Sequence, residues 1–192
     1  MLFRTLQRKE IQLLWSIDRR EIVENIYYVE NNKLVLKQEY FDMKGWPPGE
    51  DEIYTPLLQD CYDRGGYFIG VFDNQDMIGV MILDNKFMGK DNNQVQLKFL
   101  HVSRDYRKKG FGKLLFKIAV QKAIEIGADK LYISSTPSEN TVNFYLHLNC
   151  RLTEDVDPEL YKLEPEDIHL EYIIPKLRSE HEAGVFRNSK IL

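Results

Sequence analysis

Residues 95–126 constrain this chain more than any other stretch. The segment 95–102, with Leu97, Phe99 and Leu100, is rich in strand formers and ends in a polar turn. Arg107, Lys108 and Lys109 follow as consecutive cations, and Gly110 and Gly112 then flank Phe111. Beyond them, Phe111, Leu114, Leu115, Ile118, Ala119, Ala123 and Ile126 fall at helical spacing, which predicts a helix with one buried face. Strand, basic glycine turn and helix N-terminus in that order make an anion site. The first helical turn leaves N–H groups unpaired and carries about +0.5 charge. Glycines let a phosphate approach that backbone with no Cβ in the way. The dinucleotide fingerprint does not apply, because Leu115 stands where a third glycine is needed. The P-loop does not apply either, since its glycine spacing and its Lys-Ser/Thr pair are both missing. A solvated basic turn before a core helix is the structural alternative.

Composition narrows the choice of ligand. The 192-residue chain carries a net charge of −4, whereas nucleic-acid-binding domains usually have a basic excess. Arg107, Lys108 and Lys109 are thus a local cationic spot on an acidic molecule, which suits a small polyanion. No nucleic-acid partner is expected. Cys61 and Cys150 are too few for a disulfide framework and lack metal-ligand spacing, so the expectation is buried thiols, a reducing cytoplasm and no metal. No apolar run approaches the ~18 residues a membrane span needs, and the first residues do not read as a signal peptide. One domain over 1–174 and a polar tail over 175–192 are expected, the tail either frayed or packed on a second subunit of a homodimer.

Read in order, residues 2–6 suggest a strand and 8–20 a helix carrying Ile11, Leu14 and Trp15. Asn31-Asn32 between β-rich runs predicts a hairpin, because Asn tolerates positive φ. Residues 39–49 hold Tyr40, Phe41, Met43 and Trp46 before Pro47-Pro48-Gly49, and read as an aromatic loop. Those rings either tuck under the loop as a small core or line an acceptor pocket. A helix over 52–64, strands over 67–72 and 77–83, and a polar loop over 84–93 follow. After the central stretch come a strand at 131–133, a helix over 138–149, an acidic loop over 155–167 and a strand over 168–174.

The segment Arg107-Lys108-Lys109-Gly110-Phe111-Gly112 matches Arg/Gln-x-x-Gly-x-Gly/Ala, and so resembles the acetyl-CoA pyrophosphate motif of the GNAT superfamily of N-acetyltransferases. Its lead-in, Leu100-His101-Val102 and then Asp105-Tyr106-Arg107, resembles that family's approach to the turn. The resemblance spans about residues 2–174. It implies an α/β (α+β) GNAT fold: a mixed, twisted sheet flanked by helices, whose central parallel pair splays at the cofactor, here with a β-hairpin inserted after the first helix. It also implies acetyl-CoA as donor, an amine as acceptor and direct attack in a ternary complex. The aromatic loop favours a small-molecule amine.

Residue by residue, the resemblance puts the pantetheine arm along the backbone of Leu100, His101 and Val102, and the diphosphate on Arg107, Lys108, Lys109, Gly110, Phe111, Gly112 and Lys113. Ser138 and Asn140 both fit the position of a polar side chain that binds the pantetheine amide, and both also suit helix capping. Tyr145, at the end of a segment resembling the second cofactor element, is the expected general acid, since a phenol of pKa ~10 stays protonated at neutral pH. Tyr40, Phe41 and Trp46 are the expected acceptor wall. A Glu is common in the family where this chain has Lys98. Period-two alternation puts Lys98 on the face of Leu100 and Val102, near an acceptor, and His101 on the other face. A route through Cys150, activated by His147, is a weaker option. An acyl-CoA-binding regulatory or scaffold domain with little turnover is the alternative function, and Lys98 is the feature in its favour.

Overall fold

Apolar alternation and the turns between its runs produce a seven-stranded sheet in the order β1-β4-β5-β6-β7-β9-β8 and a separate hairpin, β2-β3. The computed structural model describes residues 1–175; the tail expected beyond them lies outside the described residues. In chain order the elements are β1 (Leu2–Thr5), a 3-10 helix (Arg8–Ser16), β2 (Glu21–Glu30), β3 (Lys33–Met43), α1 (Glu50–Asp63), β4 (Tyr67–Asp73) and β5 (Asp76–Met88). Then come β6 (Gln94–Val102), α2 (Phe111–Glu125), β7 (Lys130–Ser135), α3 (Glu139–Leu146), β8 (Arg151–Leu152), α4 (Pro158–Leu163) and β9 (Ile168–Ile173).

Two hydrophobic clusters hold the sheet. Under α2 and α3, Leu97, Leu115, Ala119, Leu131, Ile133 and Val142 are fully buried or nearly so. On the opposite face, Ile11 and Leu14 of the 3-10 helix and Leu58 of α1 pack on Phe68, Ile82 and Phe99. At roughly 25 cal/mol per Å² of apolar area, such burial is what offsets the chain entropy of folding.

Four local expectations are corrected. The helix over 8–20 is a shorter 3-10 helix. The aromatic loop over 39–49 is in part a strand, because β3 runs to Met43 with Phe41 opposite Val23 and Asp42 opposite Ile22. The polar loop over 84–93 shrinks, since Phe87 and Met88 pair with Val95 and Gln94. The acidic loop over 155–167 contains α4, whose N-cap Asp157 accepts from the amides of Glu159 and Leu160 at 3.0 Å, with Pro158 in the first turn.

The hairpin turns at Asn31 and Asn32, both at positive φ (50° and 60°). It is stapled to the start of α3. The Tyr27 amide donates to the Pro137 carbonyl at 2.8 Å, the Tyr27 hydroxyl to Asn143 at 3.0 Å, and Asn25 to Glu139 at 2.7 Å.

Candidate active site

The parallel pair at the centre of the sheet comes apart. β6 and β7 are paired only at Gln94–Lys130, Val95–Leu131 and Gln96–Tyr132. Past that point β7 stays with β9 while β6 stays with β5, so Leu97 through Val102 face a gap. A cavity of about 840 Å³ occupies the gap and is lined from both sides of the sheet. Gly110, Gly112, Asn140, Phe144 and Tyr145 line it from α2 and α3, and Glu50, Ile53, Tyr54 and Leu57 from α1.

One end is cationic and glycine-rich. Gly110 sits just before α2 at φ 88°, a left-handed conformation, with open space where a Cβ would stand. Gly112 has a different role: an added Cβ would lie 3.2 Å from the Phe144 ring, so glycine lets α2 and α3 close on each other. Gly110→Ala should therefore cost about 1 kcal/mol through backbone strain, measurable by urea denaturation. Lys108 and Lys113 line the cavity here and make no ion pair among the described residues. Arg107 is already engaged, donating to the Val102 carbonyl at 3.0 Å and to Glu21 at 2.9 Å. Glu21 also accepts from Asn140 at 2.9 Å, so the hairpin's first residue bridges the glycine turn and α3.

Lys109 and Phe111 do not line the cavity. The Lys109 ammonium lies 5.1 Å from the Tyr106 ring centroid, and Phe111 packs against Phe3 and Tyr106. Ser138 is a cap: its hydroxyl accepts from the Thr141 amide at 3.4 Å and donates to the Thr141 hydroxyl at 2.9 Å. Of the two polar candidates, Asn140 alone reaches the cavity.

The expected acceptor wall is rearranged. Tyr40 and Phe41 stand on β3, 68% and 51% exposed, and do not line the cavity. Trp46 is packed behind the wall. Its indole N–H donates to the Ile17 carbonyl at 2.9 Å, and its ring meets Trp15, Phe99 and His101. In their place the wall is built by α1, by α4 with Leu160 and Leu163, and by the segment after it with Glu164, Glu166 and Asp167.

Lys98 lines the cavity but not from the face that alternation assigns. Ile82 pairs with Phe99 and Leu83 with Leu97, so Lys98 is the extra residue of a β-bulge. The bulge turns Lys98 away from the face of Leu100 and Val102, towards Asp84 (3.2 Å) and Gln96 (2.9 Å). Asp84 also holds Arg64 at 2.9 Å. Burial alone would raise the Asp84 carboxyl, yet donors from Arg64, the Lys86 amide and Lys98 outweigh it and hold it at about 2. His101 lies on the opposite face from Leu100, against Trp46 and Phe99. Burial, then the charges of Arg19 and Arg107, push its imidazole well below the ordinary value.

Tyr145 lines the gap at 5% exposure, and its hydroxyl makes no hydrogen bond among the described residues. Burial, then the charges of Cys150 and Asp167, hold the phenol well above its usual value. It is a protonated donor with nothing yet to donate to. Cys150 is buried and its thiol is pushed up to about 12 by that burial, the wrong direction for a nucleophile. The group sequence analysis misses is the acid set Glu50, Glu164 and Asp167, drawn from two distant segments with no local motif in common.

A mixed sheet parted at one parallel pair, with a glycine turn and helix N-terminus at one end of the opening and an acidic wall at the other, is an acyltransferase-type architecture. The sequence agrees: residues 32–149 match the model of the acetyltransferase (GNAT) family, and the chain belongs to that family. Curated proteins give no match to the sequence. Among solved structures, nourseothricin acetyltransferase superposes with a TM-score of 0.65 at 16% identity, over 91% of this chain and 98% of that one. A streptothricin acetyltransferase from Bacillus anthracis, solved with acetyl coenzyme A, gives 0.63 at 17% identity over 88% and 96%. The PaiA N-acetyltransferase of Thermoplasma acidophilum, solved with coenzyme A, gives 0.56 at 16% over 90% and 98%. At these identities the likeness is one of fold.

Proposed function

We propose that the protein transfers an acetyl group from acetyl-CoA to a primary amine of a small molecule, by direct attack within a ternary complex. The observation that carries this reading is the single cavity that joins a glycine-turn anion site, an unpartnered buried phenol and an acidic far wall. The residues fit the cofactor. Open space at Gly110, the first amides of α2, and Lys108 and Lys113 would hold the diphosphate. The unpaired edge of β6 from Leu97 to Val102 would take an extended pantetheine arm as a strand is taken. Asn140 is placed beside it.

Acetyl-CoA would supply the activated acyl group as a thioester. Tyr145 would donate its proton to the departing sulfur, a step suited to a phenol kept neutral by burial. Backbone amides of β6 near Leu100 would face the oxyanion. Because Lys98 is tied to Asp84, it does not act as a base and is a fixed part of the wall. The acidic wall favours a cationic acceptor.

The reading is tested by thiol release from acetyl-CoA over a panel of primary amines, alongside calorimetric titration with acetyl-CoA. Release with at least one amine supports it. Tight binding with no release across the panel favours an acyl-CoA-binding scaffold, and no binding at millimolar titrant removes both.

A further inference from the structure

Direct transfer to an amine needs a proton acceptor, and the strand position where a carboxylate is common holds a lysine. We infer that Asp167 is the base that takes the acceptor's proton; this rests on the amine-acetyltransferase reading above.

Asp167 stands where β6 and β7 part. The next residue, Ile168, pairs with Ser135 at the end of β7, so the Asp167 carboxylate lies at the mouth of the gap and lines the cavity. The Ser134 hydroxyl on β7 donates to its Oδ2 at 2.7 Å, which fixes the carboxylate. Oδ1 has no protein donor and no cation pairs with Asp167 among the described residues, so one oxygen is left to accept from a ligand.

The other candidates are committed or unsuited. Glu50 is paired with Arg19 at 2.9 Å. Glu164 takes the Tyr54 hydroxyl at 2.5 Å and is exposed, as is Glu166. His101 is held neutral by burial and by two arginines, so it is too weak a base for an ammonium ion. Asp167 alone is half-buried, oriented and free. Burial raises its carboxyl to about 6, Ser134 opposes the rise, and Glu164 and Glu50 add to it against Arg19. That places it near the working pH of a general base.

The second observation is Tyr145. It lines the same cavity from α3, is 5% exposed and lacks a partner, and the Asp167 charge reaches its hydroxyl. Acid and base therefore line one cavity, Tyr145 from α3 and Asp167 from the segment that leads into β9. The acceptor ammonium gives one proton to Asp167, and its lone pair forms the N–C bond as the C–S bond breaks. Tyr145 donates to the sulfur and recovers a proton from the same nitrogen; Asp167 returns its own to solvent. The net products are an amide, a free thiol and one proton.

The test compares wild type, Asp167→Asn and Asp167→Glu, using spermidine and putrescine as probe amines. In the wild type, kcat/KM should rise with pH through about 6 as Asp167 ionises. The groups that act on its charge or line the cavity beside it are Ser134 and Tyr132 on β7, Glu50 and Tyr54 on α1, Tyr145 on α3, Arg19, Glu164 and Glu166. Asp167→Asn should lose that limb and at least 100-fold in kcat/KM at pH 7.5, with acetyl-CoA affinity unchanged, and Asp167→Glu should restore the limb in part. A readout free of turnover is the ¹³C titration of the Asp167 carboxyl, assigned by its absence in Asp167→Asn. Its midpoint should lie near 6 and fall when spermidine is added. Turnover with an unchanged limb in Asp167→Asn, or a carboxyl that titrates at the ordinary aspartate value, overturns the base while leaving the acetyltransferase reading intact. No thiol release by the wild type with any amine overturns both.

Discussion

Tyr145→Phe should lower kcat for acetyl transfer by about 10²–10⁴ while the Kd for acetyl-CoA stays within about twofold. The separation follows from where the hydroxyl stands. It lines the cavity and makes no hydrogen bond, among the described residues, that holds a neighbour in place. Removing it leaves the ring packed against Phe116 and Phe144, so the α2–α3 wall keeps its shape. Because the lost oxygen had no partner, Tyr145→Phe should melt at or slightly above the wild-type temperature. Steady-state kinetics with a responsive amine, paired with calorimetry, decides the matter. Equal losses in kcat and in cofactor affinity would mean that the tyrosine shapes the site and donates nothing.

Asp84→Ala should be strongly destabilising, costing about 3 kcal/mol in urea unfolding. Asp84 is 4% exposed and receives Arg64 from the end of α1 and Lys98 from the bulge of β6. Without it, Lys98 is left with Gln96 as its remaining partner in a largely buried position. The exposure of Arg64 (35% of the side chain) reduces its share of the loss, since water screens what remains. The same carboxylate gives the fold an acid sensitivity of definite sign. Its folded pKa of about 2 lies below the unfolded one, so its stabilisation is complete above the unfolded value and is lost as pH falls towards about 2. In Asp84→Ala this part of the acid limb should vanish. A variant as stable as the wild type at pH 7 would show that the two cations are satisfied by water alone.

The central stretch is legible because three independent signals coincide in it: a β-rich run, a glycine pair and a helical apolar stripe. Each is local, and β6, the turn at Gly110 and α2 stand where those signals put them. The hairpin turn is legible for the same reason, two Asn residues that accept positive φ. The bulge at Lys98 has no such mark. It arises from pairing with β5, and its effect on which side chains face the acceptor depends on a partner strand no local pattern reveals. Tyr40 and Phe41 mislead for a related reason: an aromatic run before Pro47-Pro48-Gly49 has the chemistry of a binding loop, but its backbone finds a ladder partner in β2. The helix α4 is half-written in Asp157-Pro158-Glu159, a cap followed by a first-turn proline, and its acid content obscures the signal. That Asp167 meets Ser134, and that both line one cavity with Tyr145, is tertiary throughout.

The gap between β6 and β7 makes the sheet a partition with a window in it. On the acetyl-transfer reading proposed above, donor and acceptor would approach from opposite rooms and meet at the sill, so neither would have to wait for the other to arrive or to leave. Initial-rate lines should intersect with no compulsory sequence of addition. An inhibitor that joins a coenzyme fragment to an amine would have to thread the window, and its linker should be slender enough to pass between Leu97 and Ser134.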